Sequence, residues 1–272
     1  MKRRQGFTVR AAWALVLVTS LVGQVVNASP LESASMLSLS SPRLSPNFSI
    51  RPDVWGPSSL STEARFHHFS SLVNELGYEV GDKPMLLGLR GLRLFSEQTH
   101  TVRSFARGYD DAFVMLLPET KRVWMFKGST HPYQRWSEEA PDVNADGEGD
   151  VAMIRPGLYH VVKMDTERLL VKNLDGSMRI PAYRDLDHDG IFEPSEVAAS
   201  LTTKRGEYFN PELGGFASAV LFHSGYGSIG CQTTASPNMK KLHKFAPFDY
   251  LLMDGADAQR AARRSPAVAS LK

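Results

Sequence analysis

The chain has 272 residues, 42% of them hydrophobic and 22% charged, with 31 Lys and Arg against 29 Asp and Glu. That is enough for one large domain or two small ones, and it excludes disorder throughout, a collagen-like repeat and a multi-span membrane protein. The formal charge of +2 includes Lys2, Arg3, Arg4 and Arg10, all in a segment expected to be removed; without them 27 bases face 29 acids, a net −2. A mildly acidic chain lacks the basic excess needed to track a phosphate backbone, so no nucleic-acid partner is expected.

Those four bases precede an apolar run from Ala11 to Val26, which ends in Val26-Asn27-Ala28. Charged start, apolar centre and small residues at the flank spell a secretory signal, residues 1–28, with cleavage after Ala28. The rival reading is an uncleaved anchor, but the run is shorter than the ~20 apolar residues of a span. No stable membrane span is therefore expected after cleavage, and no cysteine follows the run to carry a lipid. The mature chain is expected in the periplasm or outside the cell. Residues 29–61, rich in Ser, Pro and Leu, read as a spacer.

Ser61 or Thr62 can cap a helix in which Phe66, Phe69, Leu72, Val73 and Leu76 recur at three- and four-residue steps up to Gly77. From Met85 the texture changes to short runs rich in branched and aromatic residues, broken by Gly, Pro and Asp. These runs, Leu86 to Leu94, Ala112 to Leu117, Arg122 to Phe126, Leu158 to Met164, Leu169 to Val171 and Phe216 to Phe222, predict strands at sandwich-like spacing. Phe245 to Met253 reads as a last strand or helix, and residues 256–272 as a polar tail. The body, residues 62–255, is expected to be one mainly β domain, sandwich-like, with minor helices.

Two aspartate-rich loops interrupt it, near 142–153 and 185–196. In the second, Asp185, Asp187, Asp189, Glu193 and Glu196 occupy positions 1, 3, 5, 9 and 12 of a calcium loop. Gly190 permits the turn at position 6 and Ile191 offers its carbonyl at 7. A hard divalent cation wants six to eight oxygens, and this spacing wraps them around one point, so calcium is the expected cofactor. Arg179 to Tyr183 reads as extended, so a helix is expected only after the loop, from Pro194 to Ser200, as befits a structural site rather than a sensor. In the first loop Asp142, Asn144, Asp146 and Asp150 fall at positions 1, 3, 5 and 9, but Met153 replaces the bidentate acid. A weaker metal site and a turn stabilised by Asp and Asn side chains remain equally open.

Cys231 is the only cysteine, and in an exported chain it has no intrachain disulfide partner. A small buried hydrophobe, an intermolecular disulfide and a nucleophile are the alternatives. Its neighbourhood, Phe222-His223-Ser224-Gly225-Tyr226-Gly227-Ser228-Ile229-Gly230-Cys231-Gln232-Thr233, places a histidine at a strand end eight residues upstream. A thiol nucleophile needs such a base within reach, and glycines let the chain fold the two together. Gly230 and Cys231 backbone N–H groups are the available donors for a developing oxyanion.

The order of His223, a small-residue stretch and Ser228-x-Gly230-Cys231-Gln232-Thr233 resembles the L,D-transpeptidase (YkuD) catalytic domain. It is most similar to an exported branch with Phe-His-x-Gly before the Ser-x-Gly-Cys-Gln-Thr motif. The Asp142 to Asp150 loop followed by Arg155-Pro156-Gly157-Leu158-Tyr159 extends the likeness, loosely, over about 86–248. The resemblance implies Cys231 as nucleophile, His223 as base, the Ser224 carbonyl orienting the imidazole, Gly230 and Cys231 N–H as oxyanion donors, and a thioester with a peptidoglycan stem peptide. Peptidoglycan or its peptides are the partner so implied.

The chain departs from that pattern at three points: Ile229 replaces a second histidine, Thr233 replaces an arginine suited to a substrate carboxylate, and the His-to-Cys segment is short. Papain-like enzymes place cysteine before histidine, the reverse of the order here. His243 is a less favoured base on a lysine-rich stretch. His67, His68, His100, His131, His160 and His188 show no metal-ligand spacing with Cys231, so zinc is not expected. The leading expectation is an exported cysteine acyltransferase or hydrolase with a calcium-stabilised loop; the alternative is a non-enzymatic calcium-binding envelope protein on the same kind of fold.

Overall fold

A computed structural model describes residues 54–102, 108–135, 137–202, 209–210, 214–225 and 228–265. The signal segment, most of the spacer, Tyr226, Gly227 and residues 266–272 lie outside the described residues. The body is mainly β, as expected.

Helix α1 (Thr62–Glu75) starts where Ser61 Oγ accepts the Ala64 N–H at 3.1 Å, and its chain turns away at Gly77, φ 82°. Strands β1 (Met85–Arg90), β2 (Asp111–Leu117) and β3 (Arg122–Ser129) follow, then β4 (Ala152–Ile154), β5 (Gly157–Lys163), β6 (Leu169–Lys172) and β7 (Arg179–Arg184). After helix α2 (Pro194–Thr202) come β8 (Phe209–Asn210), β9 (Gly214–Ser218), β10 (Leu221–Ser224) and β11 (Gln232–Thr234). Helix α3 (Ser236–Phe245), strand β12 (Phe248–Asp254) and helix α4 (Gly255–Arg264) complete the chain order.

Eight strands close into a barrel in the order β1-β12-β5-β6-β10-β11-β3-β2, with a second sheet β4-β7-β9-β8. A barrel rather than an open sandwich results because β1 is paired along both edges. It runs parallel to β12 (Leu87↔Leu251) and antiparallel to β2 (Leu87↔Val114), which leaves no edge at that seam.

Alternation sorts the side chains into two cores. Leu86, Phe113, Phe126, Phe222 and Tyr250 fill one cluster, while Leu87, Leu89, Val114, Leu116 and Met253 pack with α1 and α4 on the other. All six β1 residues are therefore buried. The barrel interior is tight at Gly128, where a Cβ would stand 2.1 Å from the Phe113 ring.

Further expectations change. The run from Phe216 to Phe222 is two strands in two sheets, because the chain passes through the left-handed region at Ala219, φ 52°, between β9 and β10. Both halves look alike in sequence because Ala217 and Phe222 face the same core cluster. The expected tail is helical as far as Arg264: Ala258, Ala261 and Ala262, at helical spacing, are buried against the second core. Val54 and Trp55, at the end of the expected spacer, are buried there too. No helix among the described residues is long and apolar enough to cross a membrane.

Candidate functional site

The Cys231 neighbourhood is built by two adjacent parallel strands, with the glycine-rich stretch 225–231 between them in sequence. β10 and β11 pair with Phe222 beside Gln232 and His223 beside Thr233. Phe222 belongs to the barrel cluster, and Gln232 accepts a hydrogen bond from the buried Tyr250 Oη at 2.8 Å. Alternation then sends His223 to the opposite face from Phe222, while Cys231 lies immediately before β11, largely buried.

Ser228 organises the turn. Its Oγ donates to Cys231 O at 2.7 Å and accepts the Gly230 N–H at 3.1 Å. Ala152 N–H donates to Ile229 O at 3.0 Å, so β4 clamps the same turn. Gly230 has φ 152°, and a Cβ there would meet Ala152 O at 2.9 Å, which explains the glycine.

His223 Nδ1 lies 3.0 Å from Ser224 O, the contact implied by the resemblance. Donation from Nδ1 assigns the lone pair to Nε2. No hydrogen bond joins His223 to Cys231. Burial pushes the Cys231 thiol up, and the Leu221 backbone N–H only partly opposes this. The Gly230 N–H, expected to face an oxyanion, is donated to Ser228 instead. His243 sits in α3, with its Nε2 buried and without a hydrogen-bond partner.

The second aspartate-rich loop leaves β7 and enters α2, a strand–loop–helix arrangement. Asp185, Asp187 and Asp189 each bring one carboxylate oxygen within 4.8 Å of the others, and Asp185 is fully buried. Gly190 turns with φ 84°. Glu196 reaches back from the first turn of α2: Oε1 accepts the Leu186 and Asp187 N–H groups and Oε2 that of Glu193. Burial raises the Glu196 carboxyl against those donors. Glu193 and Glu196 are not part of the carboxylate trio, and Ile191 N–H donates to Asp189 Oδ1 at 2.7 Å.

The first loop spends its acids on its own backbone. Asp142 accepts from Ala145, Asp146 and Gly147 N–H, and Asp146 from Glu148 N–H. Among the described residues its carboxylates form no group comparable to the Asp185 trio. Asn144 Nδ2 donates to Leu186 O at 2.8 Å, so the two loops dock.

His188 completes that docking, with Nε2 at 3.2 Å from buried Asp150 Oδ1 and Nδ1 at 3.3 Å from Glu148 Oε2. Burial raises the Asp150 carboxyl. The sequence offers His188 only as position 4 of the second loop, so its partners could not be read there.

A further cluster was invisible in the sequence. His100 Nε2 lies 3.3 Å from Asp111 Oδ1, and His131 Nε2 lies 3.0 Å from Asp110 Oδ1 and 3.8 Å from Asp111 Oδ2. Asp111 is fully buried and also accepts from Gly91 N–H, Thr130 N–H and Thr130 Oγ1. The Asp111 hydrogen bond raises His100 to about 9, against the effect of burial. Burial alone would raise the Asp111 carboxyl; His100, His131 and Thr130 hold it down at about 2.

No family model matches the chain, and no curated protein and no solved structure matches it either.

Proposed function

We propose that this chain is an exported cysteine acyltransferase or hydrolase acting on peptidoglycan stem peptides through a thioester on Cys231, with a transpeptidase-type catalytic domain carried on the barrel. The observation that supports it most is that His223 sits in β10, beside the parallel strand β11 that Cys231 directly precedes, with His223 Nδ1 against Ser224 O. With Nδ1 donating, Nε2 is the base.

The thiol is neutral at rest because burial raises it, so Nε2 takes the Sγ proton as Sγ bonds to the donor carbonyl carbon. The tetrahedral intermediate collapses by breaking the carbon–nitrogen bond, and the leaving amine takes the proton from Nε2. An acceptor amine or water then loses a proton to Nε2 and attacks the thioester. Cys231 leaves as thiolate and recovers that proton.

The Asp185, Asp187 and Asp189 oxygens fit a hard cation, since three carboxylates converge and one is fully buried. Calcium there would offset two of their three charges and hold the loop that docks on the Asp142 to Asp150 loop.

The test is mass spectrometry after exposure to a thiol-reactive carbapenem. One adduct is expected on the wild type, none on Cys231→Ala, and adduct formation slowed by ~10²-fold in His223→Ala. An adduct that persists in Cys231→Ala, or a folded wild type that forms none, overturns the enzyme reading. The second reading, a calcium-binding envelope protein without catalysis, is favoured by the raised thiol and by the engagement of Gly230 N–H with Ser228.

A further inference from the structure

We propose that His100, Asp110, Asp111 and His131 form a proton-dependent clasp, shut while both imidazoles are doubly protonated and released in alkaline solution, which fixes the anchor of the Cys231 turn. Neither catalysis by Cys231 nor the calcium loop is needed for it.

The four side chains close a ring of alternating charge. Asp110 bridges the two histidines, with Oδ1 3.0 Å from His131 Nε2 and Oδ2 3.6 Å from His100 Nδ1. Asp111 bridges them from the other side, with Oδ1 3.3 Å from His100 Nε2 and Oδ2 3.8 Å from His131 Nε2.

The protonation state follows from what the ring nitrogens face. His100 Nδ1 lies 3.3 Å from Thr101 O, and its Nε2 lies 3.1 Å from Asp110 O. His131 Nδ1 lies 3.2 Å from Pro132 O, and its Nε2 faces the Asp110 carboxylate. Carbonyl and carboxylate oxygens only accept, so all four nitrogens donate, and a ring that donates twice is an imidazolium. Two imidazolium ions and two carboxylates sum to zero charge, which lets the group sit where Asp111 and His131 are fully buried. Burial opposes protonation of His131, and Asp110 and Asp111 override it.

The surrounding groups are few. From β1 the Arg90 guanidinium donates to Thr130 Oγ1 and Thr130 O. From β12 come Tyr250 and Asp254, and Tyr109 and Tyr133 stand on the adjoining segments. Burial raises the Asp254 carboxyl against Arg90, holds the Tyr133 hydroxyl at about 12 and keeps that of Tyr250 well above its ordinary value. His100, which Asp111 raises from 6.5 to about 9, is therefore the group that opens the clasp. Its proton has a way out, since the His100 and Asp110 side chains are 14% and 23% exposed.

The clasp holds both supports of the Cys231 turn. Two residues beyond His131, Tyr133 N–H donates to Ser228 O at 2.7 Å, and Ser228 Oγ donates to Cys231 O. Asp111 also accepts the Thr130 N–H, and Arg90, seated on Thr130, donates from Nη2 to Ile154 O at 2.7 Å in β4, the strand that clamps Ile229.

The test follows the imidazole 15N and backbone carbonyl 13C signals of the full chain against pH. Both rings are expected to be doubly protonated at pH 7, and His100 to lose its proton near pH 9. The Ser228 carbonyl is expected to shift in the same transition, because it accepts the Tyr133 N–H. A folded His100 raised in this way stabilises the chain fully below 6.5 and loses that contribution as pH rises through about 9. Urea unfolding of Cys231→Ala, with and without His100→Gln, isolates this effect from the thiol. The ratio of the two unfolding constants is expected to change ~10²-fold between pH 6 and pH 10, with His100 losing its advantage. A neutral ring on either histidine at pH 7 overturns the proposal, as does a Ser228 carbonyl that stays still while His100 titrates. A pH-independent ratio overturns it too, and if His100→Gln fails to fold the wild-type spectra decide alone.

Discussion

Gln232 points into the barrel immediately after Cys231, and Tyr250 Oη donates to its Oε1 at 2.8 Å. Both side chains are fully buried, so this hydrogen bond pins the start of β11 to β12. Tyr250→Phe strands a buried amide oxygen and is expected to cost about 1–3 kcal/mol, read as a lower urea midpoint with unchanged slope.

Gly230→Ala tests the clamp between β4 and the turn. A Cβ there is both conformationally strained and in collision with Ala152 O. The expected loss is about 1–3 kcal/mol in thermal or urea unfolding, larger than for Ala at an open site such as Gly176, whose Cβ meets nothing and only the strain remains.

Calcium is expected to raise the melting temperature of the wild type, and chelation to reverse it. At a concentration 100 times Kd the stabilisation is about 2.7 kcal/mol. Asp187→Asn is expected to abolish the calcium-dependent part with little change in the metal-free protein, since the Asp187 carboxylate is exposed and accepts only the Asp189 N–H. Equal stability with and without calcium in the wild type removes the loop as a binding site.

The Cys231 thiol titrates higher in the folded chain than in the unfolded chain, because burial disfavours the thiolate. Between those two values the native state holds more protons than the unfolded state, so this contribution makes stability fall as pH rises above the ordinary thiol range near ~8.5. The difference in unfolding free energy between wild type and Cys231→Ala is expected to shrink, or turn against the wild type, over that interval. Alkylation of the folded protein is expected to accelerate only above the same range.

Much of the architecture was legible from pattern alone. Helix α1 followed from apolar residues at three- and four-residue steps with Ser61 as cap, and most barrel strands followed from short branched and aromatic runs. The extended stretch before the second aspartate-rich loop and the helix after it were legible too. Closure was not, because whether β1 finds a partner on its second edge depends on β12, some 160 residues away. The division at Ala219 was hidden because both strands bury similar residues, and α4 was hidden because alanines carry a weak hydrophobic signal yet pack closely.

The sequence by itself determined the residues of the Cys231 turn and the acidic spacing of the loop from Asp185, since both are local patterns of a dozen residues. Only the tertiary structure decided that the strand of His223 lies beside the one that Cys231 precedes, that His188 belongs among the acids of the other loop, and that His100 and His131 meet Asp110 and Asp111. The physical reason is the same in each case. Hydrogen-bonded strand register and chain closure bring together groups whose separation along the chain has no period, and a periodless separation leaves no mark that a sequence can show.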